Sequence, residues 1–436
     1  MCGLIGLPAG AWSNHALGTW PAVSVMPELR GIAPVKVERL ESFLAAESTG
    51  LSELLRAEEQ WATQSVPGYP PRPDDLAFQS RGASPDELVR RFVAAVRVNP
   101  ASRLALFLQL PPGQGANGRA TLLESDVTTL KRTESTKFNT FVAVHEGDLV
   151  PVVDVTATAS DEPDYGIDIG LWEDDGTSYG KAYGFGKQPF GNPAIEFSSQ
   201  GPMHIGFFHE SAIVYKAAPF LLRTFPEYRI HMWRSLASYA LRTGHPYWGW
   251  RFAGWALHYI QDLTQPYHAR VLPGVGLASM LWINALDVAG IHGPKARAIT
   301  FVTNRHLALE NYQLRWLRDA HMRHDTDDAA LRALSDTSRD AQATYRDDAP
   351  RRLITLQASE LADALDATLV VQLPAKYTSD PNYVFGETET GLDLYSELAK
   401  SRPAARQSMT QAIAPLLGNF GMYSRSFVRT LLAGAR

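Results

Sequence analysis

Apolar residues recur at helical spacing along most of this chain. Residues 35–64 carry such a pattern and run into the turn-rich "VPGYPPRPDD". "SPDELVRRFVAAVRV" opens with Ser84, then Pro, Asp and Glu in the first turn, which predicts an N-capped helix start. Successive helices are predicted from 209 to 263 in "HESAIVYKAAPFLLRTF", "PEYRIHMWRSLASYALRTG" and "HPYWGWRFAGWALHYIQD", punctuated by Gly and Pro. Helical patterns continue over 296–320, much of 327–371 and 402–433. Gly113, Gly115 and Gly118 form GxGxxG, but Pro-Pro precedes them and no β-α alternation surrounds them, so they read as a loop and not a dinucleotide site. The Gly/aromatic run 179–193 reads as a long loop, either an ordinary ordered one or one that lines a lipid or substrate cleft. The expected fold class is all-α, a multi-helix bundle.

Composition narrows the function classes. The chain has 436 residues, 45% of them hydrophobic, enough for a substantial core. A net charge of −5 with no Lys/Arg block argues against a stable nucleic-acid complex, and no run approaches the ~18 apolar residues of a transmembrane helix. Cys2 is the single cysteine, which excludes an intramolecular disulfide and a thiolate metal cluster. At the N-terminus, "MCGLIGLPAGAWSNH" is apolar and small, and Ala9-Gly10-Ala11 has the form of a signal-peptidase site. Residues 1–11 are therefore expected to be a signal-peptide remnant, with a secreted or periplasmic protein beginning at Trp12.

The chemistry concentrates in "WALHYIQDLTQPYHAR". His258 and Asp262 are four apart, so a helix projects both from one face. Pro266 ends or kinks that helix and lets His268 return to the same pocket. "NRHLALENYQ" repeats the i, i+4 spacing with His306 and Glu310. Such pairs are not rare: chance gives about 1.3 in a chain with 12 histidines and 46 acids, and four occur. His321/Asp325 and His324/Asp328 fall in "HMRHDTDDAA", which reads as a solvated helix end. What singles out the 258–268 set is its apolar, Trp-rich setting, where polar groups must be satisfied by a metal or by hydrogen bonds. Imidazole and carboxylate are zinc donors, and paired helical spacing is how bundles build such sites.

"LHYIQDLTQPYHA" followed by "HLALENY" resembles the zinc-dependent phospholipase C family and its S1/P1 nuclease relatives. "GAWSNHALGT" adds a tryptophan at the expected cleavage point, as that family uses a mature N-terminal tryptophan to bind zinc. "SDEPDYGID" is similar to the family's Pro-Asp-Tyr segment and points to Asp164, with Asp161 and Asp168 near enough to compete; "GPMHIGFFHE" offers His204, with His209 as the alternative. The resemblance implies three zinc ions: one on Asp164, His204, His258 and Asp262, one on His268, His306 and Glu310, and one on Trp12, His15 and Asp262. It covers Trp12 to His15 and about 161–313. It leaves a long insertion at about 20–150 and a helical C-terminal extension at about 314–436, in a single helical catalytic domain over 12–436.

The function so implied is hydrolysis of a phosphodiester by in-line attack of a zinc-bound hydroxide, with Asp164 as base or orienter. The leading reading is a phospholipase C that cleaves phosphatidylcholine-like lipids at a membrane surface to diacylglycerol and phosphocholine. The resemblance places Tyr165 in a choline pocket, where an aromatic face holds a quaternary ammonium; packing in a loop is the alternative role for that ring. An S1/P1-type single-strand nuclease or 3′-nucleotidase is the enzymatic alternative. A non-catalytic zinc protein that binds a membrane or partner is the other. Oligomeric state is left open.

Overall fold

The computed structural model describes residues 12–130, 138–191, 196–385 and 391–434; the expected signal-peptide remnant 1–11 lies outside the described residues. The fold is mostly helical, with 62% helix, 3% strand and 19 α-helices among the described residues. None of these helices is long and apolar enough to cross a membrane.

The N-terminal half opens with α1 (His15–Ser24), then α2 (Leu40–Ala46), α3 (Ser48–Ser65) and α4 (Pro85–Ala95). Ser84 caps α4 by accepting from the Glu87 N–H at 3.4 Å, as its sequence predicts. The helical pattern over 35–64 is divided: Val35–Lys36 forms strand β1, and Glu47 separates α2 from α3. Four more short strands follow, namely β2 (Phe107–Leu110), β3 (Thr121–Leu122), β4 (Thr140–Ala143) and β5 (Leu149–Val150). They form an antiparallel sheet in the order β2-β4-β3, with Leu108 opposite Val142, and a β1-β5 ribbon. The pattern did not signal these strands, because each is too short for period-2 alternation to show.

The next helices are α5 (Val152–Asp161), α6 (Pro226–Thr243), α7 (Pro246–Asp262), α8 (Leu277–Val288), α9 (Gly293–Met322), α10 (Thr355–Gln372) and α11 (Pro403–Gly434). The segment 209–225, read as one helix, holds only Ala212–Ala217 and a 3-10 turn at Pro219–Leu222, since Pro219 removes a backbone donor. Similarly, the expected loop 179–193 begins inside a short helix, Ser178–Ala182. The GxGxxG glycines lie in irregular chain, with Gly113 and Gly118 at positive φ.

Helix α7 is the axis of the molecule. Every residue from Tyr247 to Asp262 is buried, the signature of a helix enclosed on all sides. One large core cluster joins Trp233, Trp250 and Trp255 of α6 and α7 to Phe43, Phe92, Leu108 and Val142, so the 20–150 segment shares their core. A second cluster packs Trp12 and Leu17 with Leu309 and Trp316 of α9 and Phe420 of α11. Helix α5 meets α7 at Gly254, where an added Cβ would stand 2.5 Å from the Ala159 Cβ and 2.6 Å from the Thr156 carbonyl. That close approach sets one turn of α7, carrying His258, against the C-terminal end of α5.

Candidate metal centre

A helix buried on all sides must satisfy its polar side chains internally. Arg251 does so with Glu162, through contacts of 2.7–3.1 Å. Gln261 bridges three elements: its Oε1 meets His15 Nδ1 at 2.8 Å, and its Nε2 donates to Thr19 and Ser424. His258 and Asp262 remain on that face, and around them the structure assembles side chains from five segments.

His15 is the first residue of α1. Asn14 caps that helix in a left-handed conformation (φ 107°), its Oδ1 accepting from Leu17 N at 3.1 Å. Gln109 of β2 donates to Asn14 and to Asp161, and Asn139 accepts from Asn14, so the small sheet holds the start of α1 in place. His15 Nε2 then lies 3.2 Å from Asp262 Oδ1. His204 Nδ1 lies 2.8 Å from Asp262 Oδ2, and His258 Nε2 lies 3.3 Å from the same oxygen. Asp164, in the 3-10 turn after α5, brings Oδ1 within 3.7 Å of His258 Nε2 and Oδ2 within 4.0 Å of His15 Nε2. A second group lies beyond Pro266, where His268 gathers with His306 and Glu310, the last two 2.8 Å apart. Ser13 donates to Glu310 at 3.3 Å and ties this group to the start of α1.

Other polar groups fix the rings. His258 Nδ1 faces the Ser160 carbonyl at 2.8 Å, and His268 Nδ1 faces the His204 carbonyl at 3.0 Å. Asp168 lies 3.2 Å from His204 Nε2, on the side of the ring away from Asp262. A carboxylate or carbonyl on the far nitrogen is the usual way a ligating imidazole is oriented.

Three groups of donors could hold a metal ion: His15, His258 and Asp262; Asp164, His204 and His258; His268, His306 and Glu310. Two observations fit a cation there. First, buried donor atoms face one another in pairs, His15 Nε2 and Asp262 Oδ1 at 3.2 Å and His306 Nε2 and Glu310 Oε1 at 2.8 Å. Second, the counter-charges differ from those elsewhere in the core. Glu162 and Asp168 are buried beside Arg251 and Arg229, whereas the ion pairs of Asp164, Asp262 and Glu310 among the described residues are with histidines alone.

Titration follows the same geometry. Burial works against the charge on Asp262, but the imidazoles of His258, His15 and His204 outweigh it and hold the carboxyl well below its usual value. Burial pushes Glu310 up to about 8, opposed by His268 and Ser13. It pushes Asp164 up to about 7, opposed by His204 and His15. His204 is raised to about 10: burial disfavours its charge, and Asp168 and Asp262 overrule it. Asp164 is the most exposed of the donors, with its side chain 22% exposed, against 5% or less for His204, His306 and Glu310 and none for His15, His258 and Asp262. The centre therefore opens at Asp164, whose Oδ1 accepts from Gln200 at 2.9 Å.

Eight of the nine anticipated ligand residues thus converge. The ninth, Trp12, enters through its indole, which is buried and donates to the Gln261 carbonyl and Thr264 Oγ1 at 3.1 Å each, next to Asp262. The competing residues are placed elsewhere. Asp161 accepts from Ala16 N and Gln109, and His209 faces the Arg351 carbonyl and Thr355. Tyr165 corrects the expectation of a choline contact. Its ring is 6% exposed and packs against Phe107 and Phe141, and its hydroxyl is engaged by Gln109 and Asn139. A side chain pinned at both ends offers no free face to a headgroup. Sequence reasoning missed Asp168, Gln200 and Gln261 as supports; "SDEPDYGID" contained the first only as a competing ligand.

No protein-family model, no curated protein and no solved structure matches the chain.

Proposed function

We propose that the protein is a zinc-dependent phosphodiester hydrolase, and a phospholipase C acting on phosphatidylcholine-like lipids. The observation that carries this reading is the set of buried carboxylates whose ion pairs among the described residues are with imidazoles, with Asp164 the most exposed of the donors. His204, His258, Asp262 and Asp164 would hold one ion, His268, His306 and Glu310 a second, and His15 and Asp262 with the Trp12 main chain a third. Zinc in such a set would supply Lewis acidity and neutralise charge that develops on a phosphoryl group. The side chains do the rest. Gln200 donates to Asp164 Oδ1, and the other oxygen of Asp164, the most exposed of the donors, would orient a water. Asp168 and the Ser160 carbonyl keep His204 and His258 in a single orientation. Export with cleavage after Ala11 belongs to the same reading, because it frees the Trp12 amine.

The test is release of phosphocholine from phosphatidylcholine vesicles by zinc-loaded protein trimmed to begin at Trp12. Chelator-sensitive release that His258→Ala abolishes together with zinc content supports the proposal. A metal-free His258→Ala protein that still hydrolyses would refute it. Cleavage of single-stranded nucleic acid in place of lipid would move the assignment to a nuclease, and zinc content without turnover on any phosphoester would move it to a non-catalytic role.

A further inference from the structure

An apolar pocket of about 120 Å³ includes Val302 in its lining, one helical turn before His306 on α9. Met280 and Ile283 of α8, Ile299 and Val302 of α9, and Phe190 and Phe207 from preceding loops supply its walls. Two of those walls run directly into the donors. Val302 precedes His306 by one helical turn, about 6 Å along α9, and Phe207 follows Gly206, whose N–H donates to the His268 carbonyl at 2.8 Å. Lys295 and Asn284 are the polar side chains on the lining, and the Lys295 ammonium is 2.7 Å from Asp287. Removing apolar ligand surface from water against such a lining is favourable.

The outer wall is anomalous in the same direction. Helix α8 has no buried residue, yet Asp287 is the single charged residue between 275 and 291. Trp282 is 65% exposed and Val288 82%, and Leu277, Ile291, Ile213 and Leu222 are exposed nearby. Exposed apolar side chains gathered on one helix and the segments that pack near it fit an interaction surface, and an exposed tryptophan suits the boundary between water and lipid.

We propose that the cavity is an aliphatic-chain site: it takes one hydrocarbon chain of an amphiphile whose polar end points toward the donor centre, with the outer face of α8 resting on the surface that supplies it. The occupant is a chain and not a polypeptide segment or a second copy, because the lining is almost all carbon and the cavity has room for only a few methylenes. That the chain belongs to the substrate rests on the function proposed above; that the cavity binds a chain does not.

The experiment is calorimetric titration of the full chain, metal-loaded and metal-stripped, with alkylphosphocholines of six, eight and ten carbons below their micelle concentrations. Each added methylene should tighten Kd about two- to fourfold until the cavity is full. Ala298→Phe, which fills the cavity from α9, should weaken the longest ligand at least tenfold with unchanged Tm and zinc content. Met280→Trp, from the exposed helix, should do the same and covers the case in which the first variant misfolds. A Kd that does not depend on chain length, or that survives both variants, overturns the proposal. So does sedimentation that shows a second copy covering α8 with no chain bound. Hydrolysis of p-nitrophenyl phosphocholine, which has no chain, separates the two readings. Chain-dependent binding without that turnover leaves the cavity assignment standing and removes the phospholipase; turnover with chain-independent binding does the reverse.

Discussion

Asp168→Asn isolates the support of His204 from the donors themselves. The carboxylate is fully buried and meets three partners: Arg229 at 2.6 Å, the Tyr259 hydroxyl at 2.6 Å and His204 Nε2 at 3.2 Å. Burial works against its charge, but Arg229 wins and holds the carboxyl down at about 2. An asparagine keeps the shape and loses the charge, which leaves Arg229 with the Val96 and Arg97 carbonyls as acceptors. Breaking a buried pair by removing one charge costs about 3–5 kcal/mol, and the remaining carbonyls and the isosteric amide favour the lower end, about 3 kcal/mol. Unfolding entropy of about 2.1 cal/mol/K per residue puts that loss at a Tm shift of roughly 3 °C for a chain this long. The effect on metal is separate and larger. Losing the outer partner of a ligating histidine typically costs 10- to 100-fold in affinity. Competition with a chromophoric chelator should therefore show one class of zinc weakened by that factor, with the His268–His306–Glu310 class unchanged. A variant with the lower Tm and every zinc affinity intact would refute the positioning argument and leave Asp168 a purely structural partner of Arg229.

Gly254→Val should cost about 3 kcal/mol, the upper end for overpacking, because its Cβ would meet the Thr156 carbonyl at 2.6 Å. It should also displace His258 and lower zinc stoichiometry, and an unchanged melting curve and zinc content would contradict the account of the α5–α7 contact. Zinc uptake should release protons: at pH 7 the metal-free protein carries them on His204 (about 10), on Glu310 (about 8) and partly on Asp164 (about 7). Ligands bind deprotonated, so a pH-stat should read roughly two protons per protein at pH 7 and fewer at pH 9, where Glu310 and Asp164 have already lost theirs; no release at pH 7 would contradict these assignments. Tyr165→Phe should lose about 1–3 kcal/mol by leaving the Gln109 oxygen unpaired, with no change in KM between choline and ethanolamine diesters. A selective rise in the choline KM would return that ring to the headgroup.

What the sequence made legible was local. The i, i+4 pairs at 258/262 and 306/310 and the Ser84 cap each depend on residues within one or two turns, and each is found where the pattern predicts it; the helix expected to end or kink at Pro266 stops four residues earlier, at Asp262, and Pro266 opens the 3-10 turn that carries His268. The choice among Asp161, Asp164 and Asp168 was not legible, because it is decided by tertiary partners: Arg229 claims Asp168, and the start of α1 with Gln109 claims Asp161. Tyr165 follows the same rule, since Phe107 and Phe141 reach it through a strand pairing distant in sequence. Helix α8 is the reverse case. Its apolar composition argues for burial, yet it lies outside both cores.

These facts share one cause. The first large cluster includes α7, the second reaches that helix through the Trp12 indole on the Gln261 carbonyl, and the donor centre occupies the seam: His258 and Asp262 come from α7, His15, His306 and Glu310 from α1 and α9, which pack in the second. Carbon could have filled that seam at less cost than three carboxylates that have no Lys or Arg partner among the described residues. Because Asp262 sits within 3.3 Å of imidazoles from three separate segments, any cation bound there would bind α1, α7 and the 201–204 turn to one another. Metal removal should then loosen the joint between the clusters before either cluster melts. Faster amide exchange in α1 than in the body of α6, appearing only after chelation, would be the mark of that order.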